Sequence, residues 1–130
     1  MQVYFFTRTG RSEKAAVEIA SRYGVTANRI DDGRKWSGPW GFFRGGMLAS
    51  MKKILPSEYV KPVPGEQILL FFPLWASSFP PAVRGFVRDE GRENIICLPT
   101  SDGSTLKDRE GFAGIYDLVG KEIVLPDNIE

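Results

Sequence analysis

Thr7-Arg8-Thr9-Gly10-Arg11-Ser12 lies between the apolar run Val3-Tyr4-Phe5-Phe6 and a stretch of helical periodicity, and its reading decides the fold. A buried strand runs into small hydroxyl residues and one glycine, and a helix starts at once. Several unpaired backbone N–H groups and the positive end of the helix then surround one point, where a phosphate can sit. Thr7, Thr9 and Ser12 can each add a hydroxyl donor, and Gly10 lets the backbone approach without a Cβ in the way. The same six residues also suit an ordinary strand-to-helix turn with Ser/Thr caps. Two other phosphate loops are excluded: there is no G-x-x-x-x-G-K-[ST], and no G-x-G-x-x-G follows a strand.

Outward from that turn, Gln2 to Phe6 reads as a central strand, apolar throughout because both its faces are covered. Ser12 to Tyr23 reads as a helix with Ala16, Ile19, Ala20 and Tyr23 on one packing face, ended by Gly24. Val25 to Ile30 is shorter and more polar, which suits a strand nearer the sheet edge. Asp31 to Gly41 is a loop carrying Trp36 and Trp40, which either fold back as a lid or contact a ligand or partner. Phe42 to Leu55 is expected to be a second helix, and Pro56 to Gly65 a connector. Gln67 to Phe72 is the strongest strand, and it ends in Pro73-Leu74-Trp75-Ala76-Ser77-Ser78-Phe79. Pro80-Pro81 opens a third helix at positions that tolerate proline, with Val83, Phe86 and Val87 buried. Asn94 to Leu98 is a fourth strand, followed by Pro99-Thr100-Ser101-Asp102-Gly103-Ser104. Leu106 to Val119, interrupted by Gly111 and Gly114, reads as a poorer helix, and Lys121 to Leu125 as a fifth strand.

The order β-α-β-α-β-α-β-α-β gives an α/β class with a parallel sheet. Right-handed crossovers and an edge-like second strand favour the spatial order 2-1-3-4-5. A ligand then belongs at the carboxyl ends, where strands one and three diverge. The loops Thr7 to Ser12 and Pro73 to Ser78 border that crevice.

Composition narrows the chemistry. The 130 residues suit one domain spanning 1–130, with 42% hydrophobic and 25% charged residues, as in ordinary globular proteins. A net charge of +1 gives no reason to expect nucleic acid or an acidic membrane as partner. One cysteine and no histidine exclude an intrachain disulfide, a Cys-built or zinc site and His-based catalysis. The first residues enter a strand directly, so no signal peptide is expected, no run is long enough to span a bilayer, and the cytoplasm is the expected location.

Three stretches in the right order resemble the flavodoxin family: Tyr4-Phe5-Phe6-Thr7-Arg8-Thr9-Gly10-Arg11-Ser12, Phe72 to Val83, and Pro99-Thr100-Ser101-Asp102-Gly103-Ser104. The likeness covers nearly the whole chain. It implies a flavodoxin-like three-layer α/β/α sandwich with a five-stranded parallel sheet and FMN as cofactor. By resemblance, Thr7, Arg8, Thr9, Gly10, Arg11 and Ser12 hold the FMN phosphate. Trp75, in the loop Pro73, Leu74, Trp75, Ala76, Ser77, stacks on the isoalloxazine, while Thr100, Ser101, Asp102 and Gly103, with Ser104, line its other face and pyrimidine edge. The implied function is electron transfer or flavin-dependent oxidoreduction, with a redox partner protein or a small-molecule electron acceptor. The competing reading is a flavodoxin-fold module without FMN that binds a protein partner.

The chain also departs from that family. It is not acidic, its third loop lacks an aromatic residue, and the loop after Trp75 lacks a glycine. The family's last helix has no counterpart after the fifth strand, which is expected to leave apolar surface such as Ile123 and Leu125 to be covered within the chain or by a homodimer. From the residues alone, Trp75 either offers a flat π-face to a ligand or caps the end of the sheet. Cys97 reads as a buried core thiol and Asp102 as turn chemistry or a flavin contact. Arg8 and Arg11 either assist a phosphate or face solvent. Arg29, Arg34, Lys35, Arg44, Lys52 and Lys53 read as a solvated basic face.

Overall fold

The computed structural model describes residues 1–31, 58–120, 125, 126 and 129. The Trp36/Trp40 loop and the expected second helix lie outside them. Among the described residues the elements run β1 (Gln2–Phe5), α1 (Arg11–Tyr23), β2 (Ala27–Arg29), β3 (Ile68–Pro73), α2 (Pro81–Glu90), β4 (Ile95–Ser101), β5 (Gly114–Ile115) and β6 (Leu118–Val119). The strands form a parallel sheet in the order β2-β1-β3-β4-β5, with β6 also on β4, as the sequence predicts.

Why the central strands are apolar throughout is plain from their alternation. Val3, Phe5, Leu69, Phe71, Ile96 and Leu98 face one way and pack under Ala15, Ala16, Ile19 and Ala20 of α1. Tyr4, Phe6, Ile68, Leu70, Phe72, Ile95 and Cys97 face the other way and meet Ala82, Val83, Phe86 and Val87 of α2. A period of two within a strand therefore supplies two cores, one for each helical layer. Each fully buried Phe or Leu contributes roughly 1.5–3 kcal/mol by leaving water. β3 pairs with β1 on one side and β4 on the other, which places Phe71 opposite both Phe5 and Leu98.

One expectation needs correction. Leu106 to Val119 is not a helix: it is a loop followed by β5 and β6, both on the edge of β4. Gly111 has φ +82°, a conformation that breaks a helix, and Gly114 lies against the Ile96 side chain. Ion pairs Arg92–Asp108 and Arg109–Asp117 fix the loop instead, at 2.8 and 2.9 Å. The sheet beyond β4 is formed by these short strands; of the expected strand Lys121 to Leu125, positions 121–124 lie outside the described residues and Leu125 is in no strand. Leu125 is also not left open, since it and Ile129 are buried in the α1-side core, where Arg22 donates to the Pro126 carbonyl.

Candidate functional site

The segments after β1, β3 and β4 meet at one end of the sheet around a crevice of about 400 Å³. It is lined by Thr7, Arg8, Thr9, Arg11 and Ser12 from the first, by Pro73, Leu74 and Trp75 from the second, and by Thr100, Ser101, Asp102, Gly103 and Ser104 from the third. Of the fifteen residues singled out in the sequence, Gly10, Ala76 and Ser77 do not line it.

The first loop is ordered by its own chain. Thr7 Oγ1 accepts the Gly10 N–H at 2.8 Å, and Gly10, at φ +93°, precedes α1 as its cap residue. No side chain caps the helix, so its first amides lack a partner of that kind. Below, the buried hydroxyls of Ser12 and Thr100 are 2.8 Å apart and tie the first loop to the third. Above, Arg11 makes a second tie: Nη1 donates to Asp102 Oδ1 at 2.8 Å and Nη2 to the Ser101 carbonyl at 3.1 Å. The third loop is itself closed by Ser101 Oγ, which accepts the Ser104 N–H and donates to the Ser104 carbonyl.

The second loop is a tight turn. Trp75 and Ser78 exchange both backbone hydrogen bonds, and Ala76 and Ser77 between them have φ of +54° and +59°. This backbone, which asparagine and glycine adopt with least strain, is held here by neighbours. Lys107 N–H donates to the Ser77 carbonyl at 3.2 Å, and Arg84 donates to Ser78 Oγ while stacking on Phe79. Arg92, bidentate to Asp108, lies over Phe112 at 4.6 Å. Burial lowers the Arg84 pKa, whereas hydrogen bonding to Asp108 raises that of Arg92. Trp75 is buried, with its ring edge-on to Phe6 at 5.6 Å between centroids. Its ring thus packs at the end of the sheet and also forms part of the crevice wall.

Arg84 and Phe6 support the second loop, and neither stands out in the sequence as belonging to the site. The signal for Arg84 was its place in the first turn of α2, where the helix dipole disfavours a cation. Cys97 is fully buried, and burial pushes its thiol pKa up, as expected of a core residue. Among the described residues, no cluster of acids and cysteines is arranged to hold a metal, and no helix is long and apolar enough to cross a membrane. The charged groups lining the crevice are Arg8, Arg11 and Asp102. Two arginines, several hydroxyl residues and the apolar Pro73, Leu74 and Trp75 are the groups that would suit an anion with an apolar body.

No protein-family model matches the chain. An uncharacterised protein of Archaeoglobus fulgidus is 34% identical over 102 residues, covering 75% of this chain and 64% of that protein, so the chain spans just under two thirds of its relative's length. Among solved structures, a candidate flavoprotein of Bacteroides uniformis superposes with a TM-score of 0.71 and 21% identity over 93% of this chain and 90% of that one. A candidate flavoprotein of Bacteroides eggerthii gives 0.66 and 18% over 79% and 71%. A flavoprotein of Lactobacillus acidophilus NCFM in complex with FMN gives 0.62 and 11% over 88% and 89%. Together with the parallel sheet in the order 2-1-3-4-5, these likenesses show that the chain has a flavodoxin-like α/β fold.

Proposed function

We propose that the crevice binds FMN, with the phosphate on the Thr7–Ser12 loop, and that the protein acts in electron transfer or as a flavin-dependent oxidoreductase. The carrying observation is the convergence of three loops, predicted separately from sequence, on one crevice beside a helix start that no side chain caps. The residues present fit the group. Adding a Cβ at Gly10 would meet nothing within 4 Å, so the backbone there is open to an approaching phosphate. Arg8 and Arg11 supply positive charge, and the Thr7, Thr9 and Ser12 hydroxyls line the same wall. Pro73, Leu74 and Trp75 supply the apolar wall a ring system needs. Bound flavin would carry the hydride or electron chemistry, and the protein would supply binding and orientation.

The test is a fluorescence titration of the purified protein with FMN and with riboflavin. FMN should bind at least tenfold more tightly, a difference of about 1.4 kcal/mol, because riboflavin lacks the phosphate. Equal affinities would remove the phosphate loop assignment. Absence of binding by either flavin would favour the reading as a module that engages a protein partner.

A further inference from the structure

Arg11 begins α1 on the wall proposed for the phosphate, yet its guanidinium is turned across the crevice onto Asp102 and the Ser101 carbonyl. Resting on the proposed FMN reading, we propose that Asp102 stands in for the ligand's phosphate: a phosphate monoester entering the crevice takes Arg11 from Asp102, so this ion pair is a gate that selects dianionic ligands.

Three observations carry the idea. The pair is weakly held: the Asp102 side chain is 79% exposed and that of Arg11 27%, and an exposed ion pair competes poorly with water and salt. A phosphate monoester offers the same oxygens as a carboxylate, with more charge and a geometry that takes an arginine fork in two bonds. Nor does release strand any partner. Asp102 returns to water, and the Ser101 carbonyl still accepts the Gly120 N–H at 2.9 Å. In the closed arrangement it is Arg11 that is unsatisfied, because its Nε is buried without a hydrogen-bond partner among the described residues.

The gate also has a hinge that stays shut. The buried Ser12–Thr100 hydroxyl pair joins the same two loops beneath the ion pair. Arg11 can leave while the floor of the crevice holds its shape. Arg11 is thus a binding and specificity residue, and Asp102 acts through it.

The experiment measures affinities for FMN and riboflavin, and thermal stabilisation by inorganic phosphate, in the wild type, Asp102→Asn, Arg11→Gln and the double variant. Asp102 is exposed, so its substitution leaves the fold intact. Asp102→Asn should tighten FMN about twofold to fivefold, the range an exposed ion pair would release, and change the affinity for riboflavin, which has no phosphate for Arg11, by less than that. Arg11→Gln should weaken FMN about tenfold or more, with Arg11→Lys intermediate because it keeps the charge and loses the fork. In the Arg11→Gln background, Asp102→Asn should gain nothing. Weaker FMN binding in Asp102→Asn, or an equal gain without Arg11, would overturn the gate: the first would make Asp102 a support for Arg11, the second a simple repulsive charge. Phosphate stabilising Asp102→Asn more than the wild type, with no flavin bound by either, would keep the gate and discard FMN as its ligand.

Discussion

The two ends of the sheet carry cavities of nearly equal size, about 400 Å³ at the carboxyl ends of the strands and about 380 Å³ at the opposite end. Their chemistry is opposite. At the first, hydroxyls and two arginines surround a helix start that no side chain caps. At the second, the wall is Pro62, Val63 and Pro64 with Glu66, Glu90 and Glu93, and Lys61 is already bound to Glu90 at 2.9 Å. Glu90 also accepts the Tyr59 hydroxyl at 2.6 Å, so this partly buried carboxylate is already partnered within the fold. Volume does not distinguish the proposed binding site from the hollow at the opposite end. Direction does: parallel strands bring helix N-termini to one end of the sheet and acceptor groups to the other.

Gly10→Val should break this contrast most severely. The residue sits at φ +93°, where a β-branched side chain is strained by about 1–2 kcal/mol or more. A shifted loop would misdirect the amides at the start of α1, and FMN affinity should fall at least tenfold, with circular dichroism showing the fold retained. Undiminished FMN binding in a folded variant would mean that the ligand end has been misassigned.

A smaller effect sharpens the same contrast. Ser12→Ala removes one half of the buried hydroxyl pair and leaves Thr100 Oγ1, among the described residues, with a 3.5 Å contact to the Phe72 carbonyl. Urea denaturation should show a loss of about 1–3 kcal/mol, the cost of stranding a buried polar group. Thr100→Val added to it should cost less than the sum of the single changes, since the second substitution removes the stranded partner. Additive losses would mean that the two hydroxyls act separately.

The site's three segments were legible because each belongs to a strand end, and strand order follows from rules of handedness and hydrophobic pattern. What joins them was not. Arg11 and Asp102 are 91 residues apart in sequence and Ser12 and Thr100 are 88 apart, and no local pattern announces a contact at that range. The Ala76–Ser77 turn was hidden for another reason. Nothing in Ala-Ser favours positive φ, and the conformation is imposed by Lys107, by Arg84 through Ser78, and by the Trp75–Ser78 pairing. In the Leu106 to Val119 segment the glycines signalled a weak helix, but the ion pairs that hold the loop come from Arg92 before it and from within it.

The smallest effect belongs to the opposite end and appears only in alkali. Burial, the hydrogen bond to Glu90 and nearby negative charge all raise the Tyr59 pKa above its ordinary value, and burial with Glu90 does the same for Tyr4. Above about pH 10 the unfolded chain gives up these phenolic protons while the folded chain keeps them. The native state then binds more protons, so stability is fully present below that pH and declines as the pH rises through it, by at most about 1.4 kcal/mol per pH unit for each tyrosine. Tyr59→Phe removes one of the two groups and should make the decline shallower in urea titrations between pH 9 and about 11. At neutral pH the same variant should lose only the net worth of its hydrogen bond, about 1 kcal/mol, because Lys61 still pairs with Glu90. FMN affinity should not change, since the residue lies at the end of the sheet away from the crevice. A Tyr59→Phe variant whose pH profile stays parallel to the wild type would show that this phenol titrates alike in both states. A change in flavin affinity would show that the two ends of the sheet are coupled, and the contrast between them would fail.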